Sequence, residues 1–234
     1  MKSPTVWTHP PLEQWTQGGP IHAPLDGTKL NELEYASEAR IGDPNAMGLF
    51  AFAVGTTLAA WILSGWVPMP AGFVALAPVL LLFAGVAQFV AGLYAFARTR
   101  SWAGTFLCSY GAIYAVIAAS IWMAATRLVP IIAGDAIILA VGLFCAAYIA
   151  LALTIGAARL NRSYALMAGL LCIGLALAGI QSLGSSRELG FLAGYFMLAS
   201  AFFAFYAATA HVVNSAWQRE ALPLGTSPRR GRDA

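Results

Sequence analysis

Charge is what this 234-residue chain most lacks. Only 10% of its residues are Asp, Glu, Lys or Arg, against about 25% in an ordinary soluble domain. No charged residue occurs between Asp43 and Arg98, and 59% of the chain is hydrophobic, with mean hydropathy +0.72. That composition excludes a soluble globular domain and points to the membrane. Cysteine is scarce too. Cys108, Cys145 and Cys172 lie singly in apolar runs with no CxxC pair, which excludes a disulfide framework or a thiolate metal site and leaves them as packing residues. A net charge of +3, confined to the breaks between apolar runs, excludes a nucleic-acid surface. Residues 1–45 contain no apolar core of a secretory signal. Catalytic signatures are missing as well: no HExxH, GxSxG, phosphate loop or dinucleotide fingerprint occurs, and no nucleophile–base pair stands out. The chain therefore reads as a non-enzyme without cofactor or metal.

What is present is six apolar runs of spanning length, about 20 residues each. They cover Ala46–Gly65, Phe73–Ala97, Trp102–Thr126, Ile131–Ala158, Ser163–Leu183 and Leu189–Asn214. Breaks of recognisable chemistry separate them: VPMPAG, RTRS, RLVP, RLNR and GSSRE. Lipid satisfies no backbone N–H or C=O, so runs this long must be helices, and they are too long for barrel strands. The expected fold is all-α, a polytopic membrane protein of six transmembrane helices. Trp66, Trp102, Trp122 and Trp217 fall near the ends of the runs, where indole rings favour the interface.

Eleven of the thirteen Lys and Arg lie on one side of this topology, in both tails and in the second and fourth loops; only Arg127 and Arg187 lie on the other. The positive-inside rule puts both termini in the cytoplasm, of an inner or plasma membrane. Three regions follow: a polar N-terminal tail, 1–41; a six-helix domain, 42–217; and a basic C-terminal tail, 218–234. Within the N-terminal tail, Leu30 to Gly42 could form a short surface helix or simply a solvated lead-in.

The spans are almost free of ionisable groups. Asp135, at the outer end of the fourth, is the one carboxylate inside them, and His211, near the inner end of the sixth, is the one histidine. A carboxylate relay of the proton-pump kind is therefore excluded. Uncharged polar side chains do occur at depth: Thr56, Thr57, Gln88, Ser109, Tyr110, Tyr114, Tyr148, Gln181, Ser200, Tyr206 and Thr209. Each must find a partner in hydrocarbon. They either join helices by hydrogen bonds or line a narrow polar path suited to a small neutral or weakly anionic solute. A metal cation would instead require carboxylates or carbonyl cages. His211 reads equally as a satisfied interface residue or a functional one. The start of the first span, GDPNAMGLFAF, joins a capping Asp43 and a first-turn Pro44 to Asn45, Gly48, Leu49 and Phe52. Asn45 is left over as a candidate donor at a path mouth. Small residues such as Gly85, Gly92, Gly169, Gly174 and Gly179 permit close helix or protomer contacts.

Four stretches, in order, resemble the acetate uptake transporter family, which includes bacterial YaaH-type acetate/succinate transporters and fungal relatives. DPNAMGL (Asp43 to Leu49) matches the family's Asn-Pro-Ala-Pro-Leu-Gly-Leu motif. FAGVAQ matches its Gly-Gly-Ile-Ala-Gln stretch, GTFLCSYGAIY its Thr-Ser-Tyr-Gly-Ser-Phe stretch, and LPLG its Leu-Pro-Ile-Gly ending. The resemblance covers about residues 42–225. It implies six helices around a pore in each protomer and a ring-shaped homo-oligomer, a hexamer. It implies passage of acetate and related small carboxylates, in some members succinate, by channel or symport. It also implies a hydrophobic constriction of Phe, Tyr and Leu, here Phe52, Tyr110 and a fifth-span leucine. Leu170 is the assignment, with Leu166 and Leu171 as alternatives. Gln88 corresponds to the family's second-span Gln, while Thr56 and Ser109 are further donors for the path. The departures are Asp43 for Asn, Asn45 for Ala, Ala46 for Pro, Ala95 for a Glu, and His211 for a Glu. Two other functions remain open at this stage: a membrane scaffold or signalling protein of the same fold, and a channel for another small neutral solute.

Overall fold

The computed structural model describes residues 42–67, 71–126, 135–184 and 187–225, which form one compact unit from Asp43 onward. The N-terminal tail, the Leu30–Gly42 helix up to residue 41, the start of the fourth run at residues 131–134 and the C-terminal tail beyond 225 lie outside the described residues. The helices are α1 (Asn45–Leu63), α2 (Ala71–Val79), a π-helical stretch (Leu80–Ala87), α3 (Gln88–Ala97), α4 (Ser101–Ala125), α5 (Asp135–Ala157), α6 (Arg162–Ser182) and α7 (Arg187–Trp217). Among the described residues there is no strand. Six helical segments are long and apolar enough to cross a membrane, with α2, the π stretch and α3 together supplying the second.

That second span departs from the regular helix expected over Phe73–Ala97. Pro78 lies inside α2 and cannot donate to the preceding turn. The ladder then widens to π geometry over the next eight residues and tightens again at Gln88. The span ends in a turn through Thr99, at φ 57°, a backbone region β-branched residues rarely adopt. The Arg100 N–H donates back to Ala95 O at 2.9 Å and the Thr99 N–H to Phe96 O at 2.9 Å, which satisfies two carbonyls at the helix end.

The six spans pack in a closed circuit. α4 packs on the second span, that span on α1, α1 on α7, α7 on α6 and α6 on α5, with a thinner α4–α5 contact completing it. The buried interior consists largely of alanine, with a few large side chains: Phe52, Phe106, Tyr110, Leu80, Leu107, Met167 and Leu171. Large aliphatic and aromatic side chains instead cover the outside, among them Leu82, Val116, Ile138, Tyr148, Ile155 and Phe202. Trp66, Trp122 and Trp217 are exposed near helix ends, as interface rings should be; Trp102 is not and turns inward. This arrangement follows from the solvent. Lipid is as apolar as leucine, so burial drives little, and close backbone approach through small residues holds the helices together.

Gly92 shows how close the approach is. A Cβ placed there would stand 2.7 Å from the Cys108 backbone N. Gly92→Ala is therefore expected to push α3 off α4 and to destabilise the protein by about 1–3 kcal/mol. Thermal unfolding in detergent, compared with Gly142→Ala, where a Cβ meets nothing within 4 Å, measures it.

Candidate functional site

The site begins at the start of α1. Asp43 Oδ1 accepts the Asn45 N–H at 3.0 Å and an Arg100 Nη1 hydrogen at 3.1 Å, while its Oδ2 lies 3.4 Å from His211 Nδ1. Pro44, not Asp43, is the N-cap and makes no side-chain cap bond. Asp43 stands one residue ahead and holds the first helical N–H instead. The same carboxylate also gathers two distant side chains, Arg100 and His211. Arg100 reaches it from the turn ahead of α4, and His211 from the last turns of α7. Burial by itself would raise the Asp43 pKa. The His211 hydrogen bond, the Asn45 N–H and the positive charge of Arg100 outweigh that and hold the carboxyl well below the usual carboxylate range.

His211 also reaches inward. Its Nε2 and the Tyr164 hydroxyl are 2.5 Å apart. Tyr164 sits in the first turn of α6, and two devices fix that turn. The Asn161 side chain accepts the Tyr164 N–H at 2.8 Å. The Leu222–Gly225 segment crosses the helix start, with Gly225 O accepting the Arg162 N–H and Leu224 O the Ser163 hydroxyl. Asn214 folds that segment back by accepting the Ala221 and Leu222 N–H groups, and the Tyr206 hydroxyl donates to Pro223 O. The LPLG ending is therefore a strap that holds α6 where Tyr164 can meet His211.

From Tyr164 a column of rings runs into the bundle. Tyr164 stacks on Trp102 with centroids 4.9 Å apart and planes 5° from parallel. Trp102 stacks on Phe106 at 5.3 Å, and Phe106 meets Phe52 edge-on at 4.7 Å. Phe52 lies 5.7 Å from Tyr110 and 6.3 Å from Tyr114. Such pairs contribute about 0.5–1.5 kcal/mol each beyond their buried area. Hydrogen bonds to α5 orient two of the rings: Trp102 Nε1 donates to Leu153 O and the Tyr110 hydroxyl to Ala146 O, both at 2.9 Å. At the inner end, the Tyr114 hydroxyl pairs with Thr56 Oγ1 at 2.6 Å. Beside the column a cleft of about 170 Å³ is lined by Asn45, Leu49, Trp102, Ala103, Phe106, Leu107 and Tyr164, and it offers no space a water molecule could occupy.

The structure brings Phe52, Tyr110 and Thr56 together in the buried centre and Asp43, Asn45 and Leu49 at the mouth, where Pro44 O receives the Gly48 N–H. Gly48 lets α1 approach Leu107; a Cβ would come 2.5 Å from that side chain. Gln88 is fully buried at the junction of the π stretch and α3, and neither end of its amide has a partner. The buried Asn45 Oδ1 has none either. Ser109 is half-buried on α4. On α6, Leu170 is half-buried, Leu166 is 48% exposed and Leu171 is 1% exposed within the core cluster. Phe106, Tyr164 and Arg100 are not among the site residues expected from sequence, and Trp102 is expected there only as an interface ring. Only the spacing of Trp102, Phe106, Tyr110 and Tyr114, one helical turn apart, hinted at a ring face on α4. Among the described residues no group of three His, Cys, Asp or Glu side chains could hold a metal ion. The arrangement offers hydroxyl and amide groups beside a file of packed rings, with the charged side chains gathered around Asp43.

The sequence profile of the GPR1/FUN34/yaaH family matches residues 26–225. A comparison with curated proteins returned no match. Among solved structures, the bacterial acetate channel SatP resembles the chain with a TM-score of 0.72 at 24% identity, over 79% of this chain and 99% of that one.

Asp43 provides a test of the mouth. Its folded pKa is depressed, so its contribution to stability is complete above the unfolded carboxyl value, about 3.9, and is lost as pH falls toward the folded value. Since 33% of the Asp43 side chain remains exposed, solvent screens the effect. Asp43→Asn is expected to cost about 0.5–1 kcal/mol at pH 7, with the difference shrinking below about pH 4. Melting curves of both forms across pH 3–7 give the answer.

Proposed function

The chain belongs to the GPR1/FUN34/yaaH family, and from that premise we propose that it is a membrane channel or secondary transporter for acetate and related small monocarboxylates. The observation that carries this reading is the continuous ring column from the Asp43 mouth through Trp102 and Phe106 to Phe52 and Tyr110. The likeness to the acetate channel SatP supports it at the level of fold. A bare carboxylate in a dry passage carries a desolvation penalty of several kcal/mol. Hydroxyls and amides along the way, such as the Thr56–Tyr114 pair and the unpartnered Gln88, offset part of it; crossing as the neutral acid avoids it. Phe52 and Tyr110 form the constriction together with a fifth-span leucine, for which burial favours Leu171 over Leu170. Rings of this kind reject hydrated metal ions while admitting a methyl-bearing solute.

In this reading Asp43, Asn45 and Leu49 form the inner mouth, and both termini are cytoplasmic in a plasma or inner membrane. The protomers assemble into a homo-oligomeric ring, a hexamer by resemblance. The N-terminal tail 1–41 and the C-terminal residues 218–234 flank the six-helix domain. Four arginines that share the mouth's end of the helices, Arg98, Arg100, Arg159 and Arg162, support this orientation.

Labelled acetate is expected to enter proteoliposomes only when the protein is present. Absence of protein-dependent flux for acetate, propionate and succinate alike would overturn the reading in favour of a non-transporting scaffold. Phe52→Ala is expected to widen the constriction and raise propionate flux relative to acetate by about threefold or more. Accumulation that vanishes when the proton gradient is collapsed would identify symport.

A further inference from the structure

The mouth contains a titratable device that solute passage does not itself require. His211 is bonded on both ring nitrogens: Nδ1 faces Asp43 Oδ2 at 3.4 Å and Nε2 faces the Tyr164 hydroxyl at 2.5 Å. We propose that Asp43, His211 and Tyr164 form a proton-operated latch that holds the inner mouth of the path shut when the adjoining compartment is acidic. This rests on the proposed function only for what the mouth admits.

The argument is one of donors and acceptors. Neutral imidazole has one N–H and one bare nitrogen. With Nδ1–H donating to Asp43, Nε2 accepts the Tyr164 hydroxyl proton. On protonation both nitrogens donate. The Asp43 contact becomes a full ion pair, and the Tyr164 hydroxyl must turn and accept. The added proton comes from solvent and stays on the ring, so no other group changes charge. The groups facing His211 are Asp43, from the segment entering α1, and Tyr164, from α6. Arg100, ahead of α4, acts through the Asp43 carboxylate they share. Among the described residues these two are the only ion pairs.

The latch ties together segments that the mouth must separate to open. Asp43 bonds the first N–H of α1, His211 belongs to α7, and Tyr164 belongs to α6. Tyr164 also lines the closed cleft and stacks on Trp102, which lines it too. Strengthening the Asp43–His211 pair therefore stabilises the conformation in which that cleft excludes water. For a passage that delivers weak acid, acidification inside would then close its own outlet.

The test compares wild type with His211→Gln and Asp43→Asn, so that intrinsic pH effects cancel in the ratios. The first measurement is hydrogen exchange of the Asn45 to Leu49 amides in detergent at pH 5.5 and 7.5. Protection in wild type relative to His211→Gln is expected to rise about threefold on acidification, the size of a partly exposed ion pair. Asp43→Asn relative to His211→Gln is expected to stay constant. The second measurement is labelled acetate exchange across proteoliposomes in symmetrical buffers. The wild-type flux relative to His211→Gln is expected to fall about threefold over the same range. A constant exchange ratio, a pH response that survives in Asp43→Asn, or a flux ratio that ignores pH while the exchange ratio moves would each overturn the latch. Absence of flux from every form with an intact exchange response would instead overturn the proposed function and leave the latch standing.

Discussion

The fold's functional end depends on one carboxylate. Asp43 bonds the first N–H of α1, pairs with the turn ahead of α4 and faces the end of α7. A carboxylate in this position would lose more by desolvation than it gained from any one partner. Three partners together reverse the balance. The result is directional as well as favourable, because the partners come from three different places in the chain and fix their relative positions. The ring column begins where they meet, since His211 carries Tyr164 and Tyr164 carries Trp102.

The rest of the bundle makes that junction affordable. Helices in lipid gain little from hiding apolar surface, so the interior is built from alanine and glycine at close approach. Gly92 against Cys108 and Gly111 against the Phe89 backbone draw the second span onto α4. Gly174 does the same for α6 and α7 at Met197. Such contacts leave little interior volume. Where large rings do enter, on α4 and at Phe52, they form a continuous file, and the hydrogen bonds of Trp102 and Tyr110 to α5 carbonyls keep that file in register. Serine and threonine elsewhere mostly bond back to their own helix, as Thr57, Thr154 and Thr209 do. Ser200 is an exception, joining α7 to Met167 O of α6.

This explains which features could be read from the sequence. The six spans were legible because length and absence of charge are signals along one dimension. The Asp43 contact with the helix start was legible because it spans two residues, although Pro44 takes the N-cap position itself. Burial within a span was not. On α6 the buried positions Tyr164, Met167, Ala168, Leu171 and Leu175 follow helical spacing, but the lipid-facing positions are equally apolar, so the pattern that marks a core face in a soluble helix is erased. The choice among Leu166, Leu170 and Leu171 could not be narrowed from sequence for that reason. Trp102 posed a related ambiguity: an indole near a span end reads as an interface anchor, and only the fold distinguishes that from an inward stack. The π stretch had one cue, Pro78, whose consequence falls on the residues after it. His211 could be weighed but not placed, because its partners lie in segments remote in sequence.

Under the proposed function, the placement of charge limits where selectivity could reside. Charged groups gather around Asp43, and farther in the described interior offers dipoles, rings and the buried amide of Gln88. A buried amide without partners costs about 1–3 kcal/mol. Gln88 also lies where the backbone returns from π to α geometry, a kind of local irregularity that recurs at functional sites. Under the proposed function, the polar groups available to a solute would be the Gln88 amide and the Thr56–Tyr114 pair, with the rings beside them.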